Sequence, residues 1–178
     1  MMNNGVRFMP LKFRTFETEM GWMVIAGTSI GICKVTLPML NRLSAFYEIT
    51  ENGDNNCSES LEEEQYGWFL DAKNALINYF KGRHVDFTFP FDLNGYTNFQ
   101  NDVWEVTKSI PYGELRTYGW VASQIGKPKS ARAVGNALGA NPIPIIIPCH
   151  RVIGSDGSLH GFSGGLHWKQ RLIDLEKK

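Results

Sequence analysis

Asn141-Pro142-Ile143-Pro144-Ile145-Ile146-Ile147-Pro148-Cys149-His150-Arg151 is the stretch around which the chain is organised. Its β-branched isoleucines, bounded by prolines, read as a short buried strand. That strand must stop at Pro148, because proline cannot donate to a ladder and restricts Ile147 before it. Cys149 therefore stands at the end of a rigid element with His150 beside it. A thiol next to an imidazole is the smallest unit that can make a nucleophile: an unperturbed cysteine, with a pKa of about 8.5, is mostly protonated at neutral pH and needs a base. An arbitrary Cys-His pair is more often a buried structural thiol beside a satisfied histidine, so the surrounding sequence decides.

Upstream of this stretch the apolar period is helical. Phe99, Val103, Val106 and Ile110 mark a helix closed by Pro111-Tyr112-Gly113. A short helix from about Gly119 to Ile125, a turn through Gly126-Lys127-Pro128 and a second helix from Lys129 to Gly139 make a helix-turn-helix. The second helix is built from small residues, Ser130, Ala131, Ala133, Gly135, Ala137 and Gly139, with Arg132 as the long side chain of its first turns. Small residues allow close approach to another backbone, of protein or of DNA.

The N-terminal half has a period of two. Segments 11–16, 21–26 and 30–35, separated by Glu19-Met20-Gly21 and Gly27-Thr28-Ser29, read as an antiparallel meander. Residues 50–60, rich in Asn, Gly, Asp and Ser, read as a loop. Ser60-Leu61-Glu62-Glu63 is a capping-box pattern, after which Tyr66, Phe69, Leu70, Lys73, Leu76, Ile77 and Phe80 share a helical face up to Gly82. That helix is expected to cover the sheet, and an alternating run from Val85 to Phe91 reads as a further strand.

Composition bounds the function. A chain of 178 residues with 43% hydrophobic content is enough for one large or two small cores. No apolar run approaches the roughly 18 residues of a membrane span, and residues 1–16 lack the continuous apolar core of a signal peptide. No membrane association is expected, and the location expected is the cytoplasm, or the nucleus in a eukaryote. The three cysteines, Cys33, Cys57 and Cys149, contain no CxxC pair, which argues against a disulfide framework and a structural zinc site. Net charge is zero, yet residues 1–97 hold 8 basic and 12 acidic side chains and residues 98–178 hold 10 and 6, so the halves carry −4 and +4. The basic half contains the Cys-His pair, a modest hint of a nucleic-acid face.

Pro148-Cys149-His150-Arg151 after an Ile-rich run resembles the active-site motif of the O6-alkylguanine-DNA alkyltransferases, the methylated-DNA–protein-cysteine methyltransferases. The same order continues through Ser130-Ala131-Arg132-Ala133-Val134-Gly135-Asn136-Ala137 and Asn141-Pro142 upstream, and through Gly161-Phe162-Ser163-Gly164-Gly165-Leu166 and Leu172-Ile173-Asp174-Leu175-Glu176 downstream. The resemblance is dense over residues 98–178. It implies a ribonuclease H-like α/β domain over residues 1–92, with a small antiparallel sheet and a covering helix. It also implies a mostly α, winged helix-turn-helix domain over residues 93–178 that binds DNA and carries the transferase.

The activity so implied is repair. An alkyl group on guanine O6, with O4-alkylthymine left open, passes irreversibly to Cys149 after the nucleotide is turned out of the duplex. By the same resemblance Arg132 fills the gap from the minor groove, and Tyr118 helps turn the nucleotide and donates a hydrogen bond to the base. Lys127 and Ser155 are further DNA-binding candidates. Ser163 is placed toward guanine O6, and Pro144 and Phe162 wall the alkyl pocket. Asn141 ties the helix end to the active-site turn. Phe162 stands where the family often has tyrosine, and Trp120 where a polar residue is expected; both bear on alkyl preference. Arg151 reads as a salt-bridge or phosphate partner.

Neighbouring residues of an extended chain point to opposite sides, so a water between Cys149 and His150 is expected. A carboxylate fixing the imidazole would complete a relay, and Glu176 occupies the family position for it. No cofactor and no metal are expected, and the partner is double-stranded DNA bound by a monomer. Two other readings remain at this point. One is a non-catalytic protein that binds alkyl lesions, against which the presence of Cys149 argues. The other is a thiol hydrolase, which would turn over esters or peptides without DNA.

Overall fold

The computed structural model describes residues 11–50, 57–59 and 67–177. By its contacts the chain divides into two compact units, Met1–Asn74 with Thr88–Asp92, and Ala75–Phe87 with Leu93–Lys178. The fold is a small, largely antiparallel sheet domain followed by a helical domain.

In the first unit β1 (Leu11–Thr18) pairs antiparallel with β2 (Gly21–Gly27), and β2 with β3 (Ile32–Val35), as the alternation predicts. β2 is central and buried from Met23 to Gly27. Helix α1 (Arg42–Thr50) follows β3, sending Ala45 and Ile49 into a core with Phe13, Val24 and Ala26. This helix is not among the elements expected from sequence, although Asn41 caps it by accepting from the Ser44 backbone N–H at 2.8 Å. β4 (Cys57–Glu59) pairs parallel with β1, giving the sheet order β3-β2-β1-β4. It corrects the expectation of a plain loop over 50–60: parallel pairing joins segments distant in sequence and leaves no local signature. The capping-box pattern at 60–63 and Tyr66 lie outside the described residues.

Helix α2 (Gly67–Phe80) ends before Gly82, as expected. Its buried face is Phe69, Ala72, Leu76, Tyr79 and Phe80, whereas Leu70, Lys73 and Ile77 are half-buried. The predicted strand from Val85 to Phe91 does not form. Its side chains alternate in burial, but the pairing reduces to one bridge of Phe91 with Ile32. Pro90 has no N–H to give and serves only as acceptor for the Ile32 N–H, at 2.9 Å.

The second unit carries α3 (Asn98–Lys108), whose Thr97 and Gln100 form a complete capping box. Val103, Trp104 and Thr107 are buried along it, and Trp104 Nε1 donates to the Ala137 carbonyl at 2.9 Å. β5 (Arg116–Thr117) leads into α4 (Tyr118–Gln124), capped by the Thr117 hydroxyl on the Trp120 N–H. After the turn at Gly126 comes α5 (Ala131–Gly139), so the helix-turn-helix stands where it was expected, within two residues. β6 (Val152–Ile153) pairs parallel with β5, and α6 (Leu166–Glu176) closes the chain.

The expected strand over 143–147 is instead a tight coil. Only Pro144 and Ile147 bridge, the Ile147 N–H donates to the Ile143 carbonyl at 2.9 Å, and Ile145 has φ of 76°. A β-branched residue in the left-handed region is strained. Alternate prolines remove the donors that a ladder needs, and burial of all the isoleucines of this stretch holds the coil in place. Among the described residues no helix is long and apolar enough to cross a membrane.

Candidate active site

The coil delivers Cys149 to the start of a 3-10 turn, Cys149–Arg151, in which Cys149, His150 and Arg151 are all buried. This corrects the extended geometry assumed for the pair: in a tight turn successive side chains fan around the axis instead of opposing one another.

Asn141, after the end of α5, organises the coil. Its Nδ2 donates to the Ile147 carbonyl at 2.9 Å and to Cys149 Sγ at 3.2 Å, and its Oδ1 accepts from the Ile143 N–H at 3.0 Å. Burial pushes the Cys149 thiol above its ordinary value, while the Asn141 amide and the Lys169 ammonium pull it down. At neutral pH the sulfur is a thiol that needs a base.

His150 is fully buried, with Nε2 2.8 Å from Glu176 Oε1. Glu176 collects donors. Oε1 also receives the Tyr79 hydroxyl at 2.7 Å and Arg151 Nη2 at 2.9 Å, while Oε2 receives Arg151 Nε at 2.8 Å and the Gly113 N–H at 3.1 Å. Gly113 has φ of 77°, and a Cβ there would stand 3.0 Å from the Glu176 carbonyl oxygen, so glycine is what lets this N–H approach. Burial alone would raise the Glu176 carboxyl; the hydrogen bonds from His150 and Arg151 override it and hold the group well below the usual carboxylate range. An ionised carboxylate only accepts, so His150 carries its proton on Nε2. Burial keeps the imidazole below its ordinary 6.5, and Nδ1 is buried with no hydrogen-bond partner among the described residues. The arrangement is a neutral imidazole with a bare nitrogen, backed by a fixed anion and adjacent in sequence to a thiol.

A second cluster flanks the first. Lys169 on α6 is 1% exposed, and its Nζ donates to the Tyr118 hydroxyl at 3.2 Å and to the His160 carbonyl at 2.9 Å. Burial lowers its pKa to about 8, against the pull of Cys149. Tyr118 also belongs to an open groove of about 780 Å³, walled by Arg132, Gly135 and Asn136 of α5 and by Gly154, Ser155, His160 and Gly161. Among the described residues no group of three or more His, Cys, Asp or Glu side chains is placed to hold a metal ion.

Residues 11–93 match the 6-O-methylguanine DNA methyltransferase, ribonuclease-like domain, and residues 98–178 match the 6-O-methylguanine DNA methyltransferase, DNA binding domain. The chain belongs to the 6-O-methylguanine DNA methyltransferase family. The methylated-DNA–protein-cysteine methyltransferase of Methanosarcina acetivorans is 48% identical over 164 residues, covering 92% of this chain and 97% of that protein. That of Mycobacterium bovis is 41% identical over 167 residues, covering 94% and 93%. Among solved structures, the Mycobacterium tuberculosis O6-methylguanine methyltransferase superposes with a TM-score of 0.76 at 40% identity, covering 94% of this chain and 93% of that one. M. tuberculosis OGT in complex with DNA gives 0.76 at 38%, covering 93% and 92%.

Against this methyltransferase frame the remaining candidates fall into two groups. Tyr118, Arg132 and Ser155 share the groove. Pro144, Phe162, Ser163 and Lys127 are not among its walls: Pro144 is buried in the coil, Phe162 is half-buried, Ser163 is exposed, and Lys127 is exposed with its Nζ 5.0 Å from the Phe99 ring centre. Trp120, the departure noted in sequence, lies under the Arg116 guanidinium at 5.5 Å. Arg151 is the ion-pair partner of Glu176. The sequence reading missed Lys169 and Tyr79. Lys169 was legible in principle: Lys169, Leu172, Ile173 and Glu176 fall at i, i+3, i+4 and i+7 on one face of α6, so a lysine stands on the apolar side.

Proposed function

We propose that this protein repairs DNA by moving an alkyl group from guanine O6 to Cys149, once per molecule. The observation that carries the reading is the buried imidazole of His150, with Nε2 tied to Glu176 and Nδ1 without a partner, beside a thiol whose sulfur Asn141 holds. The thiol proton passes through a water to His150 Nδ1, and Glu176 stabilises the imidazolium. Cys149 Sγ attacks the alkyl carbon; the S–C bond forms as the C–O6 bond breaks, and its electron pair stays on the guanine. Tyr118, polarised by the Lys169 ammonium, and Ser163 donate hydrogen bonds to the departing base. The imidazolium proton then returns through water to the guanine. No group of the site is placed to cleave the thioether, so the protein is spent.

The family's DNA-binding match over 98–178 and the DNA complex of the M. tuberculosis relative support DNA as partner. Arg132, exposed at the start of α5 beside the exposed Ala133, is read as the plug that replaces the extruded nucleotide from the minor groove. Ser155 and Lys127 are read as backbone contacts, and Pro144 and Phe162 as supports of the alkyl pocket. The division at 92–93 into supporting and catalytic domains is supported by the two family matches. A monomer acting in the cytoplasm, or in a eukaryotic nucleus, completes the reading. The non-catalytic alternative is disfavoured by the presence of Cys149 and by relatives named as methyltransferases.

Duplex DNA carrying a radiolabelled O6-methylguanine tests the proposal. Label is expected to move to protein and to plateau at one per chain, however long the incubation; continuing turnover or release of free methanol would contradict it.

A further inference from the structure

Tyr79, on the last turn of α2, is 0% exposed. Its hydroxyl donates to Glu176 Oε1 at 2.7 Å and lies 3.4 Å from His150 Nε2. Its ring is held edge-on by Phe80 and Tyr112, with centroids at 5.4 and 6.2 Å, and packs on Phe87 at 6.1 Å. Because the phenolic proton is committed to the carboxylate, the phenol oxygen presents only lone pairs to His150. Nε2 thus faces two acceptors, Glu176 and Tyr79, and must bring a hydrogen to them. Tyr79 keeps its own proton: burial and then the Glu176 charge push its pKa well above the ordinary 10.0.

We propose that Tyr79 is a positioning residue of the transfer reaction: its hydroxyl takes up part of the Glu176 charge and so keeps His150 a neutral base, with Nδ1 the atom that receives the thiol proton. The inference rests on the alkyl-transfer reading above. It also gives the N-terminal match a chemical contribution. Tyr79 falls within residues 11–93, yet belongs to the compact unit that carries Cys149.

The charged and titratable groups acting here are Glu176 and Lys169 from α6, His150 and Arg151 from the 3-10 turn, and Tyr112 from the loop after α3. Deleting the hydroxyl leaves more carboxylate charge facing His150, so the imidazolium is better stabilised and the neutral base requires higher pH. A hydrogen bond to a charged group moves such a midpoint by about one pH unit.

Tyr79→Phe in the full-length protein, which keeps the ring contacts, is the test. Two quantities are compared with wild type below the melting temperature of both: the pH profile of single-turnover transfer from an O6-methylguanine duplex, and the His150 protonation midpoint from ¹⁵N chemical shifts without DNA. The proposal expects the acid limb to move up by about one unit and the His150 protonation midpoint to rise with it. An unchanged limb and an unchanged His150 midpoint, with or without a lower melting temperature, would overturn it. If wild type itself transfers nothing, the alkyl-transfer reading fails, and the midpoint comparison still decides whether Tyr79 tunes His150.

Discussion

His150 and Glu176, 26 positions apart in sequence, meet through a 2.8 Å contact in which neither side chain is more than 2% exposed. The pair joins the 3-10 turn that carries the thiol to the last turn of α6. Its anion is shared with Arg151, which binds both carboxylate oxygens and sends Nη1 to the Ile110 carbonyl at 2.6 Å. One carboxylate therefore sets the charge state of a base and neutralises a buried cation.

Glu176→Gln is expected to destabilise the fold by about 3 kcal/mol, because it removes the one charge that balances the buried Arg151. Equilibrium unfolding in urea measures this, and the midpoint should fall. Single-turnover transfer should slow in the same variant, since His150 loses the anion that stabilises its protonated form.

Stability is expected to fall on the acid side. The pKa values of His150 and Glu176 are both lowered in the folded protein, from 6.5 and from 4.5, so the unfolded chain binds more protons below those values. Stability should thus rise with pH through this window: it is lost first below about pH 6.5 as His150 protonates on unfolding, and then below about 4.5 as Glu176 does. Melting temperatures from pH 4 to 7.5 measure the slope, and Glu176→Gln should lose the lower part of it.

The N-terminal meander and the helix-turn-helix were legible because their signals are local. Alternation marks β1 to β3, and the turn through Gly126-Lys127-Pro128 separates α4 from α5. The coil at 143–147 was not, because its shape depends on Asn141 bonding both ends of it and on Ile145 adopting a left-handed backbone, neither of which hydrophobic pattern encodes. β4 sits in a polar stretch and pairs parallel with a strand some 45 residues away. At the site, the Cys149–His150 neighbours stand out in the sequence itself, and Glu176 comes from the family resemblance. Tyr79 was not legible, because an aromatic on a helix facing a core looks the same whether or not its hydroxyl has a task.

Lys169→Met should reduce transfer at neutral pH by about tenfold, the worth of one charge-assisted hydrogen bond to Tyr118. With its pKa lowered to about 8, wild-type Lys169 should also impose an alkaline limb near that pH as the ammonium is lost. The pH–rate profile from 6 to 10 checks both, and the limb should be absent in the variant.

Arg132→Ala concerns DNA alone. Arg132 is exposed, so the unfolding free energy should stay within about 0.5 kcal/mol of wild type, the range typical of surface changes. Transfer from an O6-methylguanine duplex should fall roughly a hundredfold, since a few kcal/mol of unstacking then goes uncompensated. Reaction with a free O6-alkylguanine base should be unaffected, and the ratio of the two rates in one preparation isolates the effect.

The most direct test of the central claim is the intact mass of wild type and of Cys149→Ser after mixing with excess duplex DNA containing one O6-methylguanine. The account predicts a gain of one CH2 on wild type, stopping at one per molecule and mapping to Cys149, with no gain on the variant. An unmodified wild-type mass in the presence of tight lesion binding, or a gain that persists in Cys149→Ser, would contradict it.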